Sequence, residues 1–151
     1  MTAPLLVFGY GNPSRGDDAL GPEFVRRVEL RCADAIAGGI LEVLTDFQLQ
    51  VEHALDLQGR EAVYFVDATA ARDAPGYAIR PVTASSGATF TTHAQSPEAL
   101  LQTFGDVVKA PPPTAFVIAI RGERFELGEA LSDEAEEHLE EAIEAFVRRI
   151  G

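Results

Sequence analysis

The sequence is poor in several residue types, and each shortage closes off a class of function. One cysteine in 151 residues, Cys32, excludes an intrachain disulfide and cannot by itself build a thiolate metal site. Near the end of the first predicted helix it reads as a packing residue. No apolar run approaches the roughly 18 residues of a membrane-spanning helix, so membrane insertion is not expected. The N-terminus lacks a basic segment followed by a long apolar stretch and a small-residue cleavage site; no signal peptide is read, and a cytoplasmic location is the expectation. His-Glu-x-x-His is absent, which argues against a conventional zinc-protease helix, and there is no nucleophile elbow. Basic residues are few: 12 Lys and Arg against 24 Asp and Glu leave a formal charge of −12. That balance opposes binding to nucleic acid or an anionic membrane and suits a basic or cationic partner. Part of the surplus says less, because Glu134, Glu136, Glu137, Glu140, Glu141 and Glu144 read as the solvated face of the last helix.

What is present is an ordinary globular composition, 46% hydrophobic with a mean hydropathy of +0.03, and a length that fits one domain over residues 1–151. The most specified stretch follows the first strand. Leu5-Leu6-Val7-Phe8 has the length and composition of a buried strand and stops at Gly9-Tyr10-Gly11-Asn12-Pro13-Ser14-Arg15-Gly16-Asp17-Asp18. The glycines permit positive φ or close backbone approach, Asn12 tolerates the left-handed region and Pro13 fixes a dihedral. Leu20, Phe24, Val25 and Val28 then recur at helical spacing, predicting a helix from about Ala19 to Arg31. Asp17 and Asp18 fall at its start, where the dipole and free N–H groups favour ionised carboxylates. Taken alone, either residue is an N-cap.

Further on, Ile40 to Leu44 reads as a second strand, and Leu49, Ala54, Leu55 and Leu57 suggest a helix ending before Gly59, with His53 on its surface or partly packed. Ala62-Val63-Tyr64-Phe65-Val66 is the clearest strand, unbroken as in a central parallel strand covered on both faces, and it ends at Asp67. Tyr77 to Val82 is an edge strand of unreadable direction. Thr83 to Thr92 is small and polar without helical period and leads to His93. Ser96 caps a helix with Pro97 at its first position and Gly105 at its end. Ala115 to Ile120 is another buried strand, and Ser132 caps a long last helix whose charges run acidic first and basic last. This alternation predicts a three-layer α/β domain: a twisted, mostly parallel five-stranded sheet between helices, with one edge strand a candidate for antiparallel pairing.

In such a sheet, sites form beyond the carboxyl ends of strands where successive crossovers part to opposite faces. Asp18 follows the first strand and Asp67 ends the third; in a 2-1-3 order these strands are neighbours, and His93 can come from the next connection. Two carboxylates and an imidazole suit a borderline divalent metal with open positions, or acid–base work. Each residue also has a structural reading: a cap, a loop acceptor, a packed histidine. A nucleotide binder is disfavoured because the glycines do not form G-x-G-x-x-G and two acids stand where a pyrophosphate belongs. A phospho-receiver domain also places an acidic pair after strand one and an Asp after strand three, but the one lysine, Lys109, precedes the last strand instead of ending it.

The stretch Gly9 to Asp18, the Val66-Asp67-Ala68 strand end and His93 ahead of the Leu100-Leu101 helix together resemble the hydrogenase maturation endopeptidases. The resemblance runs along nearly the whole chain. It implies a twisted mixed sheet between helices and a nickel site at Asp18, Asp67 and His93, with Asp17 pointing away from the metal. Relatives often have Glu at the first ligand, one methylene longer than Asp18, and commonly show a Gly-aliphatic-x-Pro stretch after the last strand where this chain has Ala119-Ile120-Arg121-Gly122-Glu123. The implied activity is removal of the C-terminal extension from a nickel-loaded [NiFe]-hydrogenase large-subunit precursor by a monomer. Nickel would be supplied by the substrate, with another divalent metal able to substitute, and the Thr83 to Thr92 segment would dock the substrate tail. A nickel-binding chaperone without peptidase activity is the alternative within the same resemblance.

Overall fold

The computed structural model describes residues 2–85 and 95–151. Five unbroken or alternating apolar segments become strands β1 (Leu5–Tyr10), β2 (Leu41–Asp46), β3 (Ala62–Thr69), β4 (Tyr77–Val82) and β5 (Thr114–Arg121). They form one sheet in the order β2-β1-β3-β5-β4. All pairs are parallel except β4 with β5, so the edge strand is antiparallel. Helices α1 (Leu20–Arg31), the short α2 (Ala33–Ala37), α3 (Pro97–Val108) and α4 (Asp133–Ile150) complete the described elements, with 3-10 turns at Gly16–Ala19 and Val51–Leu57.

Alternation along the central strands splits the core in two. On one face Val7, Tyr64, Val66 and Ile118 meet Leu20, Phe24 and Val28 of α1 and Leu139, Ile143 and Phe146 of α4. On the other, Leu6, Phe8, Val63 and Phe65 meet Leu49, Leu57 and the Leu100-Leu101-Phe104 side of α3. Covering on both faces is why these strands read as continuous apolar runs. Cys32 is buried at the end of α1 and joins the first of these cores.

Two local expectations change. The segment after β2 is a 3-10 helix, because its buried positions Ala54 and Leu57 are spaced by three while Leu55 is 60% exposed, a spacing that fits three residues per turn. Gly105 does not end α3; the helix runs on to Val108, which packs against the second core, and stops where Lys109 takes a left-handed φ of 62° and donates its N–H to the Gly105 carbonyl. The acids of α4 do lie on an exposed face, and some of them are paired there. Arg27 of α1 pairs with Glu136 and Glu140 at 2.7 Å each, and Arg31 pairs with Glu144 at 2.8 Å, tying the two helices together on their exposed side.

Close approach of backbone to backbone decides where α1 starts. A Cβ on Gly21 would lie 2.5 Å from the Tyr10 carbonyl oxygen and 2.7 Å from that of Val66, and a Cβ on Gly9 would run into the Gly21 carbonyl. Only a helix without side chains at this point can rest on the ends of β1 and β3. Gly21→Ala should therefore lower stability by about 2–3 kcal/mol or more, since backbone atoms cannot yield as a flexible side chain would. Urea unfolding of the purified variant measures this.

Candidate functional site

β1 and β3 lie side by side, and the chain leaving β1 passes over one face through α1 while α3 covers the other, so the crevice at their carboxyl ends is where the crossovers part. Asp18 stands in the 3-10 turn that precedes α1. Its Oδ2 accepts the Asn12 amide at 2.7 Å, closing the loop onto itself, and neither Asp17 nor Asp18 caps the turn or the helix. Gly11, at φ 145°, lies against the Asp18 carbonyl with no room for a Cβ, so the loop geometry that presents Asp18 depends on that residue.

Asp67 does not end its strand. β3 continues to Thr69, and Asp67 pairs across from Ala119 of β5 while β1 has already stopped at Tyr10. Beyond Val66, β3 is paired by β5 alone. The Ala68 amide and the Tyr10 hydroxyl stand as donors beside the Asp67 carboxylate. Burial pushes the carboxyl up to about 6, and the negative charge of Asp18 adds to the rise, against the lowering effect of these two neighbours. The Tyr10 hydroxyl is pushed well above the ordinary phenol range by burial first and then by the Asp67 charge, which leaves it a donor at any working pH.

Asp17, next in sequence to Asp18, points the other way and is 0% exposed. Its Oδ2 accepts the Glu123 amide at 2.6 Å, the Arg124 amide at 3.0 Å and the Ser132 hydroxyl at 2.6 Å, and its Oδ1 accepts the Ser132 amide at 2.8 Å. Burial works against ionisation, but these donors outweigh it and hold the carboxyl below the usual range. The same two segments are laced by backbone bonds from Asp17 to Arg124, Gly16 to Glu129 and Gly128 to Ser14. Gly122-Glu123-Arg124, directly after β5, is thus the segment that closes over Asp17.

One strand away, Asp46 ends β2 and its Oδ2 meets His53 Nε2 at 3.0 Å, while His53 Nδ1 accepts the Gln50 amide at 2.9 Å. Those two bonds fit the tautomer that carries its proton on Nε2. His53 is partly packed, edge-on to Phe8, as its helix-surface reading allowed. Asp46 also helps line an open groove of about 300 Å³ with Gly11, Pro13, Pro22, Thr45 and Phe47, immediately beside the Asp18 loop.

The structure puts Asp18 near enough to Asp67 for its charge to bear on that carboxyl. His93 and most of the Thr83 to Thr92 segment lie outside the described residues, and among the described residues no three His, Cys, Asp or Glu side chains gather as a metal cage. Sequence reasoning missed Tyr10 and the partners of Asp17. Strand alternation with Leu6 and Phe8 could have flagged the first; nothing local signals the second. Lys109 caps α3 ahead of β5, and the edge strand is antiparallel where a doubly wound receiver sheet is all parallel; both count against the receiver reading.

Two predictions follow from these carboxyls. Asp67, raised in the folded state, binds its proton more tightly there than when unfolded, so its ionisation costs stability progressively as pH rises from about 4 to 6. Asp67→Asn should therefore raise Tm at pH 8 relative to the parent and give no gain at pH 4, as read by thermal melts at both. Asp17 is the opposite case: its stabilisation is present above the unfolded pKa of about 3.9 and is lost as pH falls through the lower folded value. Asp17→Ala should cost about 3–5 kcal/mol by stranding its donors, measured by urea unfolding at pH 7.

No family model matches the chain, and no curated protein matches it in sequence. Solved structures do match in fold. The hydrogenase maturating endopeptidase HybD from E. coli is 21% identical, covering 100% of this chain and 94% of its own, with a TM-score of 0.74. The [NiFe] hydrogenase maturation protease HycI from Thermococcus kodakarensis is 19% identical over 97% of this chain and 91% of its own, with a TM-score of 0.71. A hydrogenase 2 maturation peptidase from a Thaumarchaeota archaeon is 22% identical over 97% of both chains, with a TM-score of 0.62. The chain has the fold these proteins share.

Proposed function

We propose that this protein belongs to the hydrogenase maturation endopeptidases and removes the C-terminal extension of a nickel-loaded [NiFe]-hydrogenase large-subunit precursor, acting as a cytoplasmic monomer. The observation that carries the reading is the shared fold together with Asp18 near Asp67 at the switch point of the sheet, on the loop and strand that carry the resemblance. Asp18, Asp67 and His93 are the proposed ligands. Two carboxylates and an imidazole suit nickel, and another divalent ion of similar preference can take its place. Nickel is read as part of the substrate, the feature by which a loaded precursor is told from an empty one.

The chain's own contribution is to hold these groups rigidly. The Asn12 amide fixes Asp18, the Ala68 amide and Tyr10 hydroxyl hold Asp67, and a nearby cation would favour the ionised form of Asp67 that burial resists. Covalent catalysis by Cys32 is ruled out by place: it lies at the far end of α1, 12 residues or about 18 Å from the Asp18 turn at ~1.5 Å per residue, and it is buried. Surplus negative charge and the Phe47 groove beside Asp18 suit an approaching protein tail of basic character.

Incubating the protein with nickel-loaded and nickel-free precursor tests the reading by mass spectrometry. Loaded precursor should lose its extension and empty precursor should not; equal cleavage of both would refute metal gating. Asp18→Asn, Asp67→Asn and His93→Ala should each reduce processing by at least about 100-fold with the fold intact. Retained nickel binding without any cleavage would assign the protein to the chaperone role.

A further inference from the structure

Tyr10 is the one large side chain in the Gly9-Tyr10-Gly11 turn, and three features of the structure constrain it. Its backbone is pinned, because the Tyr10 carbonyl lies against Gly21 where not even a Cβ fits. Its ring packs against the core beneath α3, on the same face of β1 as Leu6 and Phe8. Its hydroxyl lies on the side of Asp67: Gly9 pairs with Val66 in the parallel register, and one step further Tyr10 and Asp67 fall side by side on the α3 face. The charged groups around that hydroxyl are Asp67 from β3, Glu98 from α3 and Arg80 from β4, and the last two pair with each other at 3.8 Å.

We propose that Tyr10 is a positioning residue for Asp67, its hydroxyl and the Ala68 amide together fixing which part of the carboxylate is left free to face Asp18. An aspartate carboxylate on a short side chain can turn about its last bond. Two donors from the rigid scaffold remove that freedom and leave the remaining lone pairs aimed in one direction. A tyrosine suits this because it has two side-chain torsions and here both its ends are held. The inference rests on the metal-recognition reading of Asp18 and Asp67.

The test removes the hydroxyl and keeps the ring. Ni²⁺ alone is titrated by calorimetry, into the millimolar range, against the full-length parent, Tyr10→Phe, Asp67→Asn and Asp18→Asn, and the visible spectrum of Co²⁺ is recorded on each. Tyr10→Phe should bind Ni²⁺ about 10- to 100-fold more weakly, with an altered Co²⁺ band. Its Tm should fall by no more than about 4 °C. A merely structural hydroxyl would move Tm and leave the Co²⁺ band alone. If Tyr10→Phe matches the parent in affinity and spectrum while Asp67→Asn does not, Tyr10 positions nothing and the metal reading stands. If all four proteins give the same isotherm, the carboxylates hold no metal and both inferences fall together.

Discussion

A single buried carboxylate joins the two halves of this molecule's working end. Asp17 gathers the Glu123 and Arg124 amides and both donors of Ser132, so the loop after β1 and the loop after β5 are held as one piece. Ser132 in turn caps α4 through the Ala135 amide, which extends the same network into the longest helix. Gly122 leaves the space: a Cβ there would sit 2.6 Å from the Asp17 Cβ. Ion pairs between α1 and α4 are exposed and screened by comparison, and contribute far less to this alignment.

Adjacent acids therefore do opposite things. Asp17 has its donors supplied in full and is spent on architecture, whereas Asp18 accepts one loop amide at 2.7 Å and keeps lone pairs to offer. Asp67 sits between these extremes, held by two donors yet short of what burial demands, which is why its carboxyl resists ionisation. A carboxylate left under-compensated inside a crevice is the kind of group that gains most from a positive charge arriving from outside. The geometry thus separates a residue that stabilises the fold from residues whose electrostatic need is met only when something binds.

The sheet was legible because its strands are buried on both faces and so appear as unbroken apolar runs; Asp67 stood out because it directly follows such a run, and Asp18 because it closes the glycine-rich stretch between the first run and the first helix. Other features depend on contacts that no local pattern encodes. Asp17 meets amides 106 to 115 residues away. The direction of β4 is set by pairing with β5, and the 3-10 form of Val51–Leu57 by which of its apolar residues the neighbouring core accepts. Gly105 misled because a helix-interior glycine costs only about 1 kcal/mol against alanine, less than the packing that the last turn of α3 recovers. Asp67 was read as the end of its strand, but β3 runs on to Thr69 because it stays paired with β5 that far, a pairing that the sequence of either strand alone does not contain.

The contact of Gly9 with Gly21 is made by main-chain atoms on both sides. A junction of that kind stores no information in side-chain shape, so its demands on the sequence are confined to two positions. Surrounding core residues can exchange with one another wherever total volume is kept, and the placement of Asp18 over the strand ends is unaffected by those exchanges. Evolutionary drift across most of the chain can then proceed while the angle at which the acidic turn meets the sheet is inherited unchanged.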